Sequence, residues 1–230
     1  MTISEQKVQM RLNDIKEKIQ KAQLRFNKNN EDDKKVELVA VSKTHGVDEI
    51  EQAIKADQKV FGENRVQEAY EKWPELKEKY SDIKLHLIGP LQTNKVRDAV
   101  ALFDVIETVD REKLARKLRA EMDIAKKELD LFVQVNIGQE SQKAGIAPQE
   151  AVEFVKRCRN DYGLNIIGLM AIPPVNKAAG PYFAQLAQLA KEAQLENLSI
   201  GMSKDFEIAI YIGANYVRVG SAIFGKRISQ

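Results

Sequence analysis

Leu38-Val-Ala-Val-Ser-Lys-Thr-His-Gly46 is the stretch on which the rest of the chain is organised. Four apolar residues, Leu38 to Val41, describe a strand buried on both faces. A cation follows at once, Lys43, and then Thr44, His45 and Gly46 turn the chain away. In α/β folds, chemistry collects at the carboxyl ends of buried parallel strands. A lysine there has its stem among apolar side chains, which favours the neutral amine that can attack a carbonyl. Taken alone, the same residue also fits a strand-end lysine that extends its ammonium to solvent.

The pattern of this stretch repeats along the chain. Before it, Val8, Leu12, Ile15, Ile19, Ala22 and Phe26 recur at helical spacing and predict an amphipathic opening helix. Lys28 to Lys35 is a charged run without periodicity and is expected to be an exposed loop. After the first strand, seven more apolar runs follow: Lys59–Gly62, Leu85–Gly89, Phe103–Thr108, Leu131–Asn136, Leu164–Met170, Leu198–Gly201 and Tyr216–Gly220. Segments with helical periodicity separate them. Asp110 is placed to cap one of these helices, and Pro148 to open another. Eight strands alternating with helices are the count that closes a parallel barrel. The expected fold is therefore α/β, a single (β/α)8 TIM barrel with an extra N-terminal helix, forming one domain over residues 1–230. An open doubly wound sheet is the alternative, and no Gly-x-Gly-x-x-Gly follows any strand to support it.

Composition removes several function classes. Lys and Arg number 36 against 34 Asp and Glu, a formal net charge of +2, so no broad basic surface argues for nucleic acid. Cys158 is the sole cysteine, which excludes an internal disulfide and a thiolate metal cluster. With only His45 and His86, a histidine-rich metal site is not expected. The first residues lack the apolar core of a signal peptide, and no run is long enough to cross a membrane, so a cytoplasmic location is expected. The single-domain pattern predicts a monomer.

In such a barrel the strand ends meet on one face, here Lys43, Asn64, His86 with Gly89, Thr108, Asn136, Met170, Ser203, and Arg218 with Gly220-Ser221. Polar residues end strands in any barrel, so the combination matters more than its members. Gly201-Met-Ser203 and Gly220-Ser221 place small residues and backbone N–H groups after strands seven and eight, where such barrels hold phosphate. Ordinary helix capping by the two serines is the competing account. Arg218 shares its face of strand eight with Gly220 and needs an acceptor, either a carboxylate such as Glu63 or Glu107 or a ligand ring nitrogen. An amine, a phosphate site and a guanidinium together describe a site for pyridoxal 5′-phosphate (PLP), with its aldehyde, phosphate and pyridine nitrogen.

The motifs Val41-Ser-Lys-Thr44, Phe61-Gly-Glu-Asn64, His86-Leu-Ile-Gly-Pro-Leu-Gln-Thr-Asn-Lys95, Gly168-Leu-Met170, Gly201-Met-Ser203 with Asp205, and Val217-Arg-Val-Gly-Ser-Ala-Ile-Phe-Gly225 closely resemble the pyridoxal phosphate homeostasis proteins. These are small relatives of the alanine racemase N-terminal barrel, and the resemblance spans nearly the whole chain. It implies PLP held as a Schiff base on Lys43, its phosphate on Ser203, Gly220 and Ser221, and Arg218 facing the pyridine nitrogen. It implies that Asn64, His86 and Met170 belong to the same pocket. Lys143 matches a family lysine concerned with PLP handling, and its sequence setting equally fits a solvated loop lysine. At position 45 this chain has histidine where some relatives have lysine.

Arg218 only donates hydrogen bonds, so it favours an unprotonated ring nitrogen and weakens the ring as an electron sink. That suits a carrier of intracellular PLP (vitamin B6) homeostasis, which would buffer the cofactor and pass it to PLP-dependent apoenzymes. A PLP-dependent amino-acid racemase on the same residues is the rival. A Schiff-base aldolase acting without PLP is a third reading.

Overall fold

The computed structural model describes residues 3–30 and 35–225; of the Lys28–Lys35 run expected as a loop, residues 28–30 belong instead to the opening helix and 31–34 lie outside the described residues. The opening helix, α1, spans Ile3–Asn30, longer than its apolar repeat. Eight strands follow: β1 (Glu37–Val41), β2 (Val60–Glu63), β3 (Lys84–Leu87), β4 (Val105–Val109), β5 (Asp130–Val135), β6 (Ile166–Ala171), β7 (Asn197–Met202) and β8 (Tyr216–Val219). The helices between and after them are α2 (Val47–Lys55), α3 (Val66–Lys79), α4 (Val96–Leu102), α5 (Glu112–Ala125), α6 (Ala151–Asn160), α7 (Ala179–Glu192), α8 (Phe206–Tyr211) and α9 (Ser221–Phe224). Short 3-10 turns at Thr93–Lys95 and Pro148–Glu150 lead into α4 and α6.

The strands pair in chain order, all parallel, and β8 returns to β1 to close the barrel. The expected (β/α)8 fold is thus the observed one. Two apolar layers hold it. The larger lies between the strands and the outer helices and includes Leu38, Phe61, Leu85, Ile106, Leu131 and Leu169. The smaller fills the barrel interior with Val105, Phe132 and Met170, against Ile167, Ile172 and Tyr216. Inward and outward residues alternate along the strands, with register irregularities where β4 meets β5, β5 meets β6 and β7 meets β8.

The extra helix has a structural reason. The last helix, α9, has only four residues and cannot cover the seam between β8 and β1. α1 packs against α8, α9 and α2, and buries Val8, Leu12, Ile15, Ile19 and Ala22 over that gap.

Two local expectations are corrected. Asp110 does not cap α5: the cap position is Arg111, and the Asp110 carboxylate pairs with the Arg111 guanidinium instead. The sixth strand, expected at Leu164–Met170, runs from Ile166 to Ala171. This shift moves the residue that reaches the upper rim of the barrel.

Candidate functional site

A cavity of about 540 Å³ opens at the carboxyl ends of the strands. Its walls include Lys43, Asn64, Ser203, Arg218, Gly220 and Ser221, six of the expected site residues. His86 and Met170, expected in the same pocket, are not among the residues that line it. Just past the end of β3 the residue at the rim is Ile88, two residues beyond His86, and just past the end of β6 it is Ile172, two beyond Met170. His86 and Met170 therefore lie one layer down, both buried.

Lys43 follows β1 in a turn and is half-buried at the cavity wall. Asn64 reaches the rim directly after β2 ends at Glu63, where the chain passes close against the backbone of Gly89. A Cβ on Gly89 would stand 2.2 Å from the Asn64 carbonyl oxygen, so that crossing requires glycine. Gly201 has φ +88°, and a Cβ there would meet Ala209 at 2.6 Å. This left-handed residue lets the chain after β7 turn into the cavity mouth.

Ser203 and Ser221 come from the loops after β7 and β8, and their hydroxyl oxygens are 3.5 Å apart. Neither caps a helix. The cap positions are Asp205 and Gly220, and Asp205 Oδ1 accepts the Met202 amide at 2.7 Å. The capping account of the two serines is thereby removed, and both residues line the cavity, Ser221 as the first residue of α9.

Arg218 forms part of the floor. It is 4% exposed and donates to the Ser199 carbonyl at 2.5 Å, the Ser199 hydroxyl at 2.6 Å and the Ala171 carbonyl at 2.9 Å. Its carboxylate neighbour is Glu107, 3.7 Å away, while Glu63 points outward and is not a partner. Glu107 in turn accepts Ser199 Oγ at 2.5 Å and lies 2.8 Å from His86 Nδ1. Burial alone would raise the Glu107 pKa, but His86, Arg218 and Ser199 outweigh it and hold the group below its ordinary range. Burial draws the Arg218 pKa down against the pull of Glu107 and Asp205. His86 thus reaches the floor of the cavity through Glu107, and Met170 by packing beneath it.

Sequence reasoning missed several wall residues. His45 lines the cavity with its ring stacked on Phe224 at 4.9 Å, and its Nδ1 lies 3.2 Å from Glu49. Its place two residues after Lys43 was the available signal. Ile172, Pro173, Pro174, Val175 and Ile208 form an apolar rim that strand patterning could not place. Lys143 is outside the wall but tied to it: its ammonium donates to the Pro173 carbonyl at 3.1 Å and pairs with Glu140 at 2.5 Å. Among the described residues no cluster of His, Cys, Asp or Glu could hold a metal, and no helix is long and apolar enough to cross a membrane.

Comparison with known proteins fits this geometry. The family model described as alanine racemase, N-terminal domain, matches residues 11–228. A pyridoxal phosphate homeostasis protein of Pasteurella multocida is 42% identical over 202 residues, covering 84% of this chain and 87% of that one. Its counterpart in Haemophilus influenzae is 39% identical over 230 residues, 96% of each. Among solved structures, PipY of Synechococcus elongatus with PLP bound superposes with a TM-score of 0.82 at 34% identity, covering 95% of this chain and 100% of that one. The form without PLP gives 0.84 at 35% identity with the same coverage.

Proposed function

Because the chain belongs to the alanine racemase N-terminal-domain family, and within it to the pyridoxal phosphate homeostasis proteins, we propose that it is a cytoplasmic carrier of PLP that holds the cofactor reversibly on Lys43. One observation carries this reading: a single cavity has an amine on one wall, two serine hydroxyls on another and a guanidinium in its floor. Its volume, about 540 Å³, falls in the usual range for small-molecule sites, about 300–1,000 Å³. The PLP bound in the Synechococcus relative supports the same assignment.

The cofactor supplies an aldehyde that condenses with an amine, releasing water. Lys43 presents that amine from the end of β1. Ser203 and Ser221 hydrogen-bond a phosphate, with Gly220 leaving room for it at the start of α9. Arg218, with donors left over from Ser199 and Ala171, would be the group to meet a ring nitrogen, and as a donor only it would favour that nitrogen unprotonated. Asn64 fixes the ligand from the β2 side. His86 and Met170 act on it indirectly, through Glu107 and through packing below the floor.

A racemase needs a general acid and base placed on opposite faces of its substrate. Among the described residues lining the cavity, Asp205 is the one carboxylate and already accepts the Met202 amide, while the His45 imidazole is stacked on Phe224 with its Nδ1 3.2 Å from Glu49. That favours carriage, as a monomer that yields PLP to apoenzymes, over turnover. The test is the near-UV and visible spectrum of the purified protein beside Lys43→Ala, followed by borohydride reduction and peptide mapping. A visible band lost in the variant, with the pyridoxyl group on Lys43 and no exchange of amino-acid α-protons, is expected. A wild-type protein that takes up no PLP overturns the reading, and rapid α-proton exchange replaces it with the racemase.

A further inference from the structure

Glu63 ends β2 with its side chain turned outward toward α3, because the adjoining Gly62 faces the barrel interior against Val39 and Ile88. The carboxyl group is fully buried. Its Oε1 accepts Ser42 Oγ at 2.7 Å and Trp73 Nε1 at 3.1 Å, and pairs with Lys72 Nζ at 2.7 Å. Lys72 is itself 9% exposed. It also donates to the Ser42 carbonyl at 3.2 Å and to Glu68 Oε1 at 2.9 Å, and reaches the His45 carbonyl at 3.4 Å. Glu68 Oε1 accepts the Thr44 amide at 2.5 Å.

The cluster therefore grips the backbone on both sides of Lys43. Ser42 is held by its hydroxyl and carbonyl, Thr44 by its amide, and His45 by its carbonyl. Thr44 has φ +66°, a left-handed conformation that a β-branched residue adopts only when its surroundings impose it. A buried ion pair is a poor way to gain stability, since apolar side chains of similar volume do as well or better. The placement of this one, with most of its hydrogen bonds directed at the three residues that flank Lys43, Ser42, Thr44 and His45, indicates a geometric task instead.

We propose that Lys72, Glu63 and Glu68 form a positioning triad behind the barrel wall that fixes the 42–45 turn and so aims Lys43 Nζ into the cavity. The inference rests on Lys43 being the cofactor anchor. With the backbone fixed, capture of an aldehyde requires ordering only the lysine side chain, so both affinity and capture rate benefit.

Four variants test it: Lys72→Met, Glu68→Ala, Glu68→Gln and Lys77→Met. Gln at position 68 retains an acceptor for the Thr44 amide. Lys77 lies on the same helix, where it pairs with Asp104 at 2.7 Å, and serves as a stability comparator. The first readout is hydrogen exchange in the PLP-free protein. Exchange over residues 43–46 should accelerate in Lys72→Met and Glu68→Ala, and remain at the wild-type rate in Glu68→Gln and Lys77→Met. The second is the Kd for added PLP with borohydride trapping on Lys43. About a tenfold weakening is expected in the first pair, the scale of a lost hydrogen bond to a charged group, and little change in the second. If Lys72→Met does not fold, the Glu68 pair decides, since that side chain is 24% exposed. Wild-type trapping matched by Glu68→Ala in rate and Kd overturns the triad while leaving the carrier reading intact. No trapping in the wild type overturns the carrier reading, and the reason for the triad with it.

Discussion

Ser203 and Ser221, 18 residues apart in sequence, bring their hydroxyl oxygens within 3.5 Å of each other at the mouth of the cavity. The first comes from the loop after β7 and the second opens α9, so the pair joins the last two βα loops of the barrel into one polar surface. If that surface binds phosphate, the two hydroxyls serve the same group and their effects are coupled. Wild-type protein is expected to bind PLP far more tightly than pyridoxal, which lacks the phosphate. Ser203→Ala or Ser221→Ala should each cost about tenfold in PLP affinity, the scale of a hydrogen bond to a charged group, with little effect on pyridoxal. Titrations of the two ligands against the single and double variants provide the measurement. An unchanged PLP-to-pyridoxal ratio in the double variant removes the serines from the site.

Gly89 and Asn64 set a second expectation. A Cβ on Gly89 would lie 2.2 Å from the Asn64 carbonyl oxygen, a backbone atom that cannot rotate away. Gly89→Ala must displace the Asn64 loop, at a cost of about 1–3 kcal/mol by analogy with overpacked cores. Because Asn64 lines the cavity, PLP affinity should fall together with thermal stability. Gly46→Ala is the control, since a Cβ there meets nothing within 4 Å. Melting curves and PLP titrations of the two variants separate a local steric effect from a general intolerance of substitution.

The barrel itself was legible because its cause is local. Eight apolar runs at regular spacing leave few alternatives, and the opening helix announced itself by the repeat of Val8, Leu12, Ile15 and Ile19. Depth within the barrel was not legible. His86 and Met170 occupy inward positions as expected, but alternation along a strand fixes only the face and not the layer. β6 ends at Ala171, one residue later than expected, and the next residue, Ile172, takes the cavity wall and leaves Met170 below it. The Glu63–Lys72 pair was hidden for another reason. Lys72 reads as one of many helix lysines, and only its place beside Ala69, Trp73 and Leu76 on the buried face of α3 hints otherwise. Which carboxylate it meets depends on how α3 sits on β2, which no local pattern encodes.

The interior network gives a pH prediction. Glu107 has a folded-state pKa below its ordinary value, with burial opposed and outweighed by His86, Arg218 and Ser199. A carboxylate depressed in the folded state contributes stability that is fully present above its unfolded pKa and is lost as pH falls through the folded pKa. Acid denaturation of the wild type should therefore steepen below the ordinary carboxylate range, and Glu107→Gln should flatten that limb. Arg218→Met leaves Glu107 buried with one cation fewer, and about 3–5 kcal/mol of stability should disappear at neutral pH. Urea unfolding across the acid range, for wild type and both variants, checks the sign and the size. An acid limb identical in Glu107→Gln would show that other carboxylates control it.

Cys158 offers a chemical clock for the whole fold. It lies on α6 with no exposed surface, in the apolar layer between helices and strands. Burial pushes its thiol pKa up to about 12, with Arg157 pulling the other way. Almost no thiolate exists at neutral pH, and the thiolate is the reactive form. Native protein should resist iodoacetamide, and alkylation should proceed only as fast as the molecule opens. Since α6 packs on β5 and β6 in the middle of the barrel, that opening is expected to be global, with the labelling rate following denaturant stability. Added PLP, as a ligand of the folded state, should slow the reaction in proportion to its occupancy. Mass spectrometry of timed samples with and without PLP measures both effects. Rapid labelling of the PLP-free protein under native conditions would mean that α6 detaches while the barrel stays closed. In that case PLP should leave the rate unchanged, because the detached state would bind it equally well.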